Sequence, residues 1–401
     1  MSDIAEVRQV VTRYYRGLET GFEAVLSVFG SMVLAERTKP LCLILESPSG
    51  SGKTAVLQSC FPTSPESELA GYTYRSDKFT PRSFVTHAAN VSTKELAKMD
   101  MLPQLQDKVL LTKELAPIFR GREAEMQENF STLISVLDGK GFTSNSGMRG
   151  KRGYERRIIF NWIGCTTPFP AATHRMMSQL GTRLLFFELP ALDLTEDDLV
   201  EYARGNTAGK AETVCQSGVE EFLIDFFDTL PVGSVPSSDM TFPEDHLRQL
   251  VRWAQFLVRG RAEVKWEKRG SNYEPVAAMP PEGPHKVINY LKEIACGHAL
   301  IERRSRIDES DMEVVARVAI SSIPGHLRPI IRELTGTKKV YTTLAAGLCK
   351  VSAPTARHYL QEISLLGIGR LEKGSARDNS PDHITLSKEF RWLNPNLETQ
   401  V

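Results

Sequence analysis

The stretch from Leu41 to Thr54 carries the residues whose types and spacing best suit chemistry. Its apolar start predicts a short buried strand, a loop of small residues follows, and a helix begins at its end. Small residues let backbone N–H groups turn towards an anion, and the helix N-terminus adds partial positive charge. This pattern is typical of a phosphate-binding loop. The predicted nucleotide-binding residues are Ser47, Pro48, Ser49, Gly50, Ser51, Gly52, Lys53 and Thr54.

Two side chains of this loop have defined roles in the prediction. Lys53 is expected to reach the β- and γ-phosphates of ATP, and the Thr54 hydroxyl is expected to hold Mg²⁺. Ser47 stands where the pattern usually has its first glycine, so the loop must turn without that glycine. The alternative is a turn of glycine and serine that only joins a strand to a helix.

A carboxylate is needed beside such a loop, to hold Mg²⁺ and polarise the attacking water. The buried run Val109–Thr112 is followed by Lys113 and Glu114, where two consecutive acids are usual. Glu114 is therefore the predicted catalytic acid and second metal ligand. The alternative is a solvated glutamate at the start of a helix.

Two further residues lie at the ends of predicted strands. Thr167 follows the run Ile158–Cys165 and could sense the γ-phosphate or orient the water. Arg183 precedes the run Leu184–Leu189 and could neutralise charge on a nucleotide held by a neighbouring subunit. The alternatives are a strand-end threonine with satisfied hydrogen bonds and an ordinary surface ion pair.

The segment from Gly139 to Arg157 predicts a β-hairpin, because glycines bracket a polar, basic tip between two β-compatible arms. Arg149, Lys151 and Arg152 are the predicted cations of that tip, suited to phosphates and indifferent to base identity. The alternative is a solvated loop without a partner.

The order of these parts resembles the AAA+ ATPases, most closely the MCM-like replicative helicases of phages and mobile elements, over residues 41–333. The resemblance implies a ring, expected to be a homohexamer, with Arg183 acting in trans and the basic hairpin gripping DNA in a central pore. It also implies a P-loop α/β core followed by a helical lid. Lys113 in place of a second acid departs from the commonest pattern of this family.

The C-terminal segment resembles a winged helix-turn-helix. Two short predicted helices are followed by two strands around a glycine-containing loop, and Ser352 with Pro354 is a good helix start. In DNA readers of this shape, Arg357 and His358 would face the groove, and Arg370 and Lys373 would line the wing. Winged helices also serve as protein adaptors, so this alternative stays open.

Composition limits the class of protein. The 401 residues include 49 Lys+Arg and 49 Asp+Glu, so the net charge gives no indication of nucleic-acid binding by the chain as a whole. Six scattered cysteines without a CxxC pair argue against a disulfide framework and favour a reducing cytoplasm. The N-terminus has no apolar segment typical of a signal peptide, and no apolar run approaches the length that spans a bilayer. We therefore expect a soluble protein.

The elements that must position these residues divide the sequence into four predicted parts. Residues 1–40 predict N-terminal helices, 41–192 an α/β nucleotide-binding core, 193–335 a helical lid, and 336–401 the winged helix domain. Within the lid, a Gly/Pro-rich break from Gly270 to Pro284 precedes a predicted helix over His285–Ile301. Two functions are consistent with these parts. One is an ATP-hydrolysing motor on DNA, a helicase or translocase. The other is an ATP-switched assembly factor, such as a replication initiator, transposition regulator or defence component.

Overall fold

The computed structural model describes residues 3–86, 91–119, 122–146, 150–169, 181–190, 195–197, 200, 203, 208–270, 272–374 and 381–395. Its internal contacts form two compact units. Unit 1 comprises Met1–Pro168, Arg183–Leu247 and Tyr290–Val315, and unit 2 comprises Phe169–Thr182, Arg248–Asn289 and Ala316–Val401.

The helices and strands are numbered in chain order. The helices are α1 Ile4–Tyr14, α2 Glu19–Gly30, α3 Lys53–Gln58, α4 Thr93–Met99, α5 Met101–Gln104, α6 Glu123–Val136, α7 Ala208–Thr229, α8 Glu244–Gly260, α9 His285–Ile301, α10 Glu309–Ser321, α11 Arg328–Gly336, α12 Thr342–Cys349 and α13 Ala353–Leu365. The strands are β1 Leu41–Glu46, β2 Thr73–Arg75, β3 Val109–Thr112, β4 Phe142–Ser146, β5 Gly150–Tyr154, β6 Asn161–Thr166, β7 Leu185–Glu188, β8 Val264–Arg269, β9 Asn272–Ala278, β10 Val340–Tyr341, β11 Gly369–Glu372 and β12 His383–Leu386.

A five-stranded sheet forms the core of unit 1, in the order β2-β3-β6-β1-β7. All its pairings are parallel. Every residue of β1, β3 and β6 is buried, as expected of parallel strands, which read as continuous apolar runs. The predicted α/β class with a parallel sheet is therefore confirmed. Because the carboxyl ends of parallel strands share one edge, the segments after β1, β3 and β6 lie side by side.

Helices α2 and α9 cross in unit 1 with their backbones in close contact. A Cβ atom added to Gly30 would collide with the carbonyl of Gly297, and one added to Gly297 would collide with the carbonyl of Ser27. Glycine at both positions therefore allows the two helices to approach more closely than any side chain would permit. This contact fixes α9 beside the helix that leads into β1.

The predicted basic hairpin is present in unit 1. Strands β4 and β5 pair antiparallel, with Phe142 opposite Tyr154 and Ser146 opposite Gly150. The predicted tip residue Arg149 lies outside the described residues.

Unit 2 contains a second hairpin, which the sequence patterns did not predict. Strands β8 and β9 pair antiparallel within the stretch predicted as a helical lid. Gly270, which contributed to the predicted Gly/Pro-rich break, has φ +62° and lies between the two strands. The alternation of Val264, Trp266 and their polar neighbours suits a pleated strand.

The C-terminal part of unit 2 has the predicted order of elements. Helices α12 and α13 are followed by strands β11 and β12, and the short strand β10 before α12 completes an antiparallel sheet in the order β10-β12-β11. The Ser352 hydroxyl accepts a hydrogen bond from the Thr355 backbone N–H at the start of α13, as predicted for a helix cap. Trp253 of α8 and Trp392 pack edge to face, with ring centroids 4.8 Å apart.

None of the helices in the described part of the chain combines the length and apolar character that crossing a bilayer requires.

Candidate functional site

The predicted phosphate-binding loop follows β1 and turns at two glycines. Gly50 has φ +85° and Gly52 has φ +82°, a left-handed conformation that glycine adopts without strain. Ser47 does not share this conformation. The loop therefore does not need a glycine at Ser47, which accounts for the departure from the usual pattern. Ser47 is buried, whereas Pro48, Ser49 and Gly50 are exposed.

The Lys53 ammonium closes over this loop. Its Nζ donates a hydrogen bond to the Pro48 carbonyl at 3.0 Å, and the side chain is buried. The neighbouring Thr54 is exposed at the first turn of α3. A lysine held within the loop and an exposed hydroxyl beside it are the two groups that the predicted roles require, one for phosphate and one for a hard cation.

The ends of β3 and β6 lie next to the loop. The Ser47 backbone N–H donates to the Thr166 carbonyl at 3.3 Å, and the Leu115 N–H donates to the Cys165 carbonyl at 2.9 Å. These bonds hold the loop, Thr167 and Glu114 at one edge of the sheet. Glu114 is exposed, and its Oε1 accepts a hydrogen bond from the Ala116 N–H at 2.8 Å.

Cys165 lies beneath the two predicted charged groups of the site. Its thiol donates to the Lys53 carbonyl at 3.4 Å. Burial raises the pKa of Cys165 to about 12, while the Lys53 charge lowers that pKa and the Glu114 charge raises it. Both charges therefore act on the same buried thiol.

A second group of charges beside Glu114 was missed at the level of sequence. Lys113 Nζ lies 3.8 Å from Asp77 Oδ2, and Arg75 makes two hydrogen bonds to the same carboxylate. Both cations also lie over the Phe61 ring, at 5.3 Å for Lys113 and 4.7 Å for Arg75. The signal in the sequence was Lys113 itself, a cation where an acid is usual. Its partner Asp77 lies two residues after β2, a three-residue strand that the periodicity did not reveal.

The oxygen donors at the site suit magnesium. A hydroxyl at Thr54 and a carboxylate at Glu114 are hard ligands of the kind Mg²⁺ prefers, and Mg²⁺ keeps most of its other positions for water and phosphate. Among the described residues, no group of three or more His, Cys, Asp or Glu side chains is arranged to hold a metal. The donor set thus fits a metal shared with a bound phosphate rather than a closed protein cage.

Arg183 lies just before β7, at the amino ends of the strands and thus opposite the loop after β1. Leu185 of β7 is level with Leu43 of β1, so Arg183 is level with the start of β1, away from the phosphate loop. The residue is 9% exposed, and its guanidinium forms an ion pair with Asp138 at 3.0 Å. The structure therefore does not bring Arg183 together with Glu114 and Lys53 of its own chain.

The two described basic residues of the hairpin point to different surroundings. Lys151 is exposed and paired with the equally exposed Glu155. Arg152 is turned inward, where its guanidinium lies 2.9 Å from the fully buried carboxylate of Asp100. The Tyr154 hydroxyl donates to the same carboxylate at 2.9 Å. Arg152 thus anchors the hairpin, and Lys151 is the exposed cation among the described residues of its two strands.

In unit 2, the four predicted DNA contacts differ in accessibility. Arg370 and Lys373 are exposed on β11 and after it. Arg357 is 49% exposed and its Nε lies 2.8 Å from Asp382 Oδ2. The His358 ring packs edge to face against Trp266 of β8, with centroids 5.7 Å apart. Both predicted groove-facing residues, Arg357 and His358, are therefore engaged by the chain's own side chains, whereas both predicted wing residues are exposed.

No family model matches the chain, and no curated protein matches it either. A solved structure from Cytophaga hutchinsonii, provisionally assigned as an ATPase, aligns over 79% of this chain and 85% of its own, with 13% identity and a TM-score of 0.40. A similarity this low does not establish an activity. The function proposed below therefore rests on the residues of the site.

Proposed function

We propose that this protein binds ATP with Mg²⁺ at the loop after β1 and hydrolyses it. One observation carries the proposal: a loop turned at Gly50 and Gly52 is closed by Lys53, and the carboxylate of Glu114 lies at the same sheet edge. This combination provides backbone N–H groups and an ammonium for phosphates, and an acid for the attacking water.

The residues have separate tasks in the proposed reaction. Lys53 leaves the Pro48 carbonyl and contacts the β- and γ-phosphates when ATP enters. Glu114 leaves the Ala116 N–H and accepts a proton from the attacking water, whose oxygen forms the new bond to the γ-phosphorus while the bond to the β-phosphate oxygen breaks. Thr167 orients that water or the γ-phosphate. Mg²⁺, held by Thr54 and Glu114, would neutralise charge on the phosphate oxygens.

ATP binding and phosphate release, measured separately, test this proposal. We expect Lys53→Ala to weaken binding and abolish turnover, and Glu114→Gln to bind ATP but not hydrolyse it, because an amide cannot act as the base. Glu128→Gln is the matched control, since Glu128 is 56% exposed and pairs with Arg82 on the surface. Native turnover in Glu114→Gln would refute the assigned base.

We further propose that the ATP is used on DNA by a homo-oligomeric ring, expected to be a hexamer, in the manner of an MCM-like helicase. The β4–β5 hairpin with exposed Lys151 supports a DNA-gripping element. A winged helix that contacts DNA is supported by helices α12 and α13 packed with the sheet of β10, β11 and β12, and by exposed Arg370 on β11 and Lys373 just after it. All six cysteines are free thiols, which supports a reducing compartment such as the cytoplasm.

The second candidate function is an ATP-switched assembly factor that binds DNA without unwinding it. The inward Arg152 favours this alternative, because it leaves fewer cations to grip a moving strand. Strand displacement on forked and tailed duplexes separates the two. A protein that binds DNA only with ATP, yet displaces no strand, would be the assembly factor.

A further inference from the structure

The hairpin of β8 and β9 packs against α13, the helix whose residues were predicted to face DNA. The Trp266 ring meets the His358 ring almost perpendicularly, at 87° and with centroids 5.7 Å apart. An edge-to-face aromatic contact of this kind is favourable and directional. The hairpin therefore occupies the side of α13 on which His358 lies.

Two polar atoms, one on the hairpin and one on α13, are buried without a partner. Trp266 Nε1, a donor, and Gln361 Oε1, an acceptor, are both shut off from solvent and make no hydrogen bond in the described part of the chain. Gln361 follows His358 by three residues, so the two side chains share one face of α13. Buried polar groups without partners oppose the packing around them. The hairpin is thus held on the helix by a contact weaker than that of a well-formed core.

Arg357, the neighbouring predicted DNA contact, is also occupied from within unit 2. Its Nε lies 2.8 Å from Asp382 Oδ2, and the other oxygen of that carboxylate accepts from the Gly374 N–H at 2.8 Å. Arg357 is half-exposed and Asp382 is 19% exposed, so the pair lies at the surface. An ion pair at the surface contributes little to stability, and phosphate oxygens can therefore replace the carboxylate at small cost. Both contacts cover groups that would otherwise face a nucleic acid.

We propose that the hairpin β8–β9 is a removable cover over a duplex-DNA surface on α13, and that DNA binding there requires the hairpin to leave Trp266's position against His358. This inference rests on the proposed action on DNA. In the isolated protein, only the fraction of molecules whose hairpin has moved away from His358 binds duplex DNA through α13. The measured affinity is then reduced by that fraction.

Two substitutions of Trp266, which lies on β8 and not on α13, should change the position of the cover in opposite directions. Trp266→Ala removes the aromatic contact and should open the cover. Trp266→Phe keeps a ring against His358 but removes the unpartnered Nε1 donor, so it should close the cover further. Tyr273→Ala is the matched control, because Tyr273 lies on the same hairpin and is 62% exposed.

The binding of a fluorescent duplex to the full chain, at one salt concentration and with saturating ATP, tests the proposal. If the native cover is open in about one molecule in ten, Trp266→Ala should bind about tenfold more tightly. Trp266→Phe should bind more weakly than native protein, and Tyr273→Ala should match it. Adding Arg357→Ala to Trp266→Ala should remove the gain, since the gain comes from α13.

Three results would overturn the cover. Equal affinities in all variants, or weaker binding in Trp266→Ala while its melting temperature stays near native, would make the hairpin inert or part of the DNA surface. Faster amide exchange across α13 in Trp266→Ala, without duplex binding by any variant, would retain a removable hairpin but exclude DNA as its ligand. In that case ATP hydrolysis, measured on the same preparations, decides independently whether the proposed ATPase stands.

Discussion

Arg183 is paired with Asp138 at the end of the sheet opposite the predicted phosphate-binding loop. The two side chains are 3.0 Å apart, and Lys39 Nζ lies 3.8 Å from the same carboxylate oxygen. The six-residue strand β1 separates this pair from the loop by about 20 Å, at roughly 3.3 Å per residue. Arg183 in this position is too distant to serve the nucleotide of its own chain. If it neutralises transition-state charge, it does so on a neighbouring chain.

Subunit mixing tests that role for Arg183. Neither Lys53→Ala nor Arg183→Ala protein should hydrolyse ATP alone, because each lacks one half of the composite site. Mixed together, some interfaces would combine an intact loop with an intact arginine, so partial phosphate release should return. An absence of recovery, with subunit exchange demonstrated by fluorescence energy transfer, would leave Arg183 a purely structural partner of Asp138.

Gly50 and Gly52 have different surroundings, so replacing each by alanine should change the free energy of unfolding by different amounts. Both residues have positive φ, which costs an L-residue about 1–2 kcal/mol. A Cβ at Gly50 meets open space, but one at Gly52 would collide with the Leu18 side chain. Gly52→Ala should therefore lower the free energy of unfolding by about 1–3 kcal/mol more than Gly50→Ala. Urea unfolding of both variants measures the difference, and equal values would contradict the collision with Leu18.

Substitutions of the two hairpin residues should have different effects: Lys151→Ala on DNA binding and Arg152→Ala on stability. Lys151→Ala removes an exposed cation and should change stability by less than about 0.5 kcal/mol. If it contacts a phosphate, the slope of log affinity against log salt should fall by about 0.7–0.9. Stimulation of ATP hydrolysis by DNA should fall as well. An unchanged slope and unchanged stimulation would remove Lys151 from the DNA contacts.

Arg152→Ala should instead destabilise the fold. It leaves the fully buried carboxylate of Asp100 without its cation, a loss that costs about 3 kcal/mol for a buried pair. Tyr154 still donates to this carboxylate, and Tyr154→Phe in the same background should add to the loss. Thermal melting measures both. A melting temperature unchanged in Arg152→Ala would contradict the inward pairing.

Glu293 of α9 should make stability depend on pH. Burial raises the pKa of Glu293 to about 7, although the Arg37 charge opposes the shift. The folded protein then binds more protons than the unfolded chain between about pH 4.5 and 7. Stability from this group is fully present below that range and is lost as the pH rises through it, by up to about 3 kcal/mol. Urea unfolding from pH 5 to 8 should show this loss in native protein but not in Glu293→Gln.

The parts of the fold predicted correctly are those with strong local patterns. Strand β3 and helix α9 begin and end at the predicted residues Val109, Thr112, His285 and Ile301, because an apolar run and a helical period are properties of adjacent residues. Strand β2 escaped prediction because three residues cannot establish a period. Strand β9 escaped because Gly270 and Pro275 read as a break, although Pro275 pairs opposite Trp266 in the hairpin.

In the candidate site, too, the features that adjacent residues determine could be predicted, and those that distant partners determine could not. The residue types of the phosphate loop are adjacent in sequence, so its turn and its lysine could be predicted. The orientation of Arg152 could not, because its partner Asp100 is 52 residues away. Likewise, the partner of Arg183 is 45 residues away, and nothing near either arginine distinguishes an inward from an outward side chain. Partner choice over such distances is set by the packing of the whole unit.

The close crossing of Gly30 and Gly297 has a consequence for synthesis of the chain. Unit 1 includes Tyr290–Val315, so a ribosome has made the loop after β1 long before it makes the helix that packs on α2. At roughly 5–20 residues per second, the interval from residue 58 to residue 315 is about 13–50 s. During that time the face of α2 that contacts Gly297 is not yet covered, because helix α9 has not been synthesised. Fragments that stop at the end of β7 would share this incomplete state.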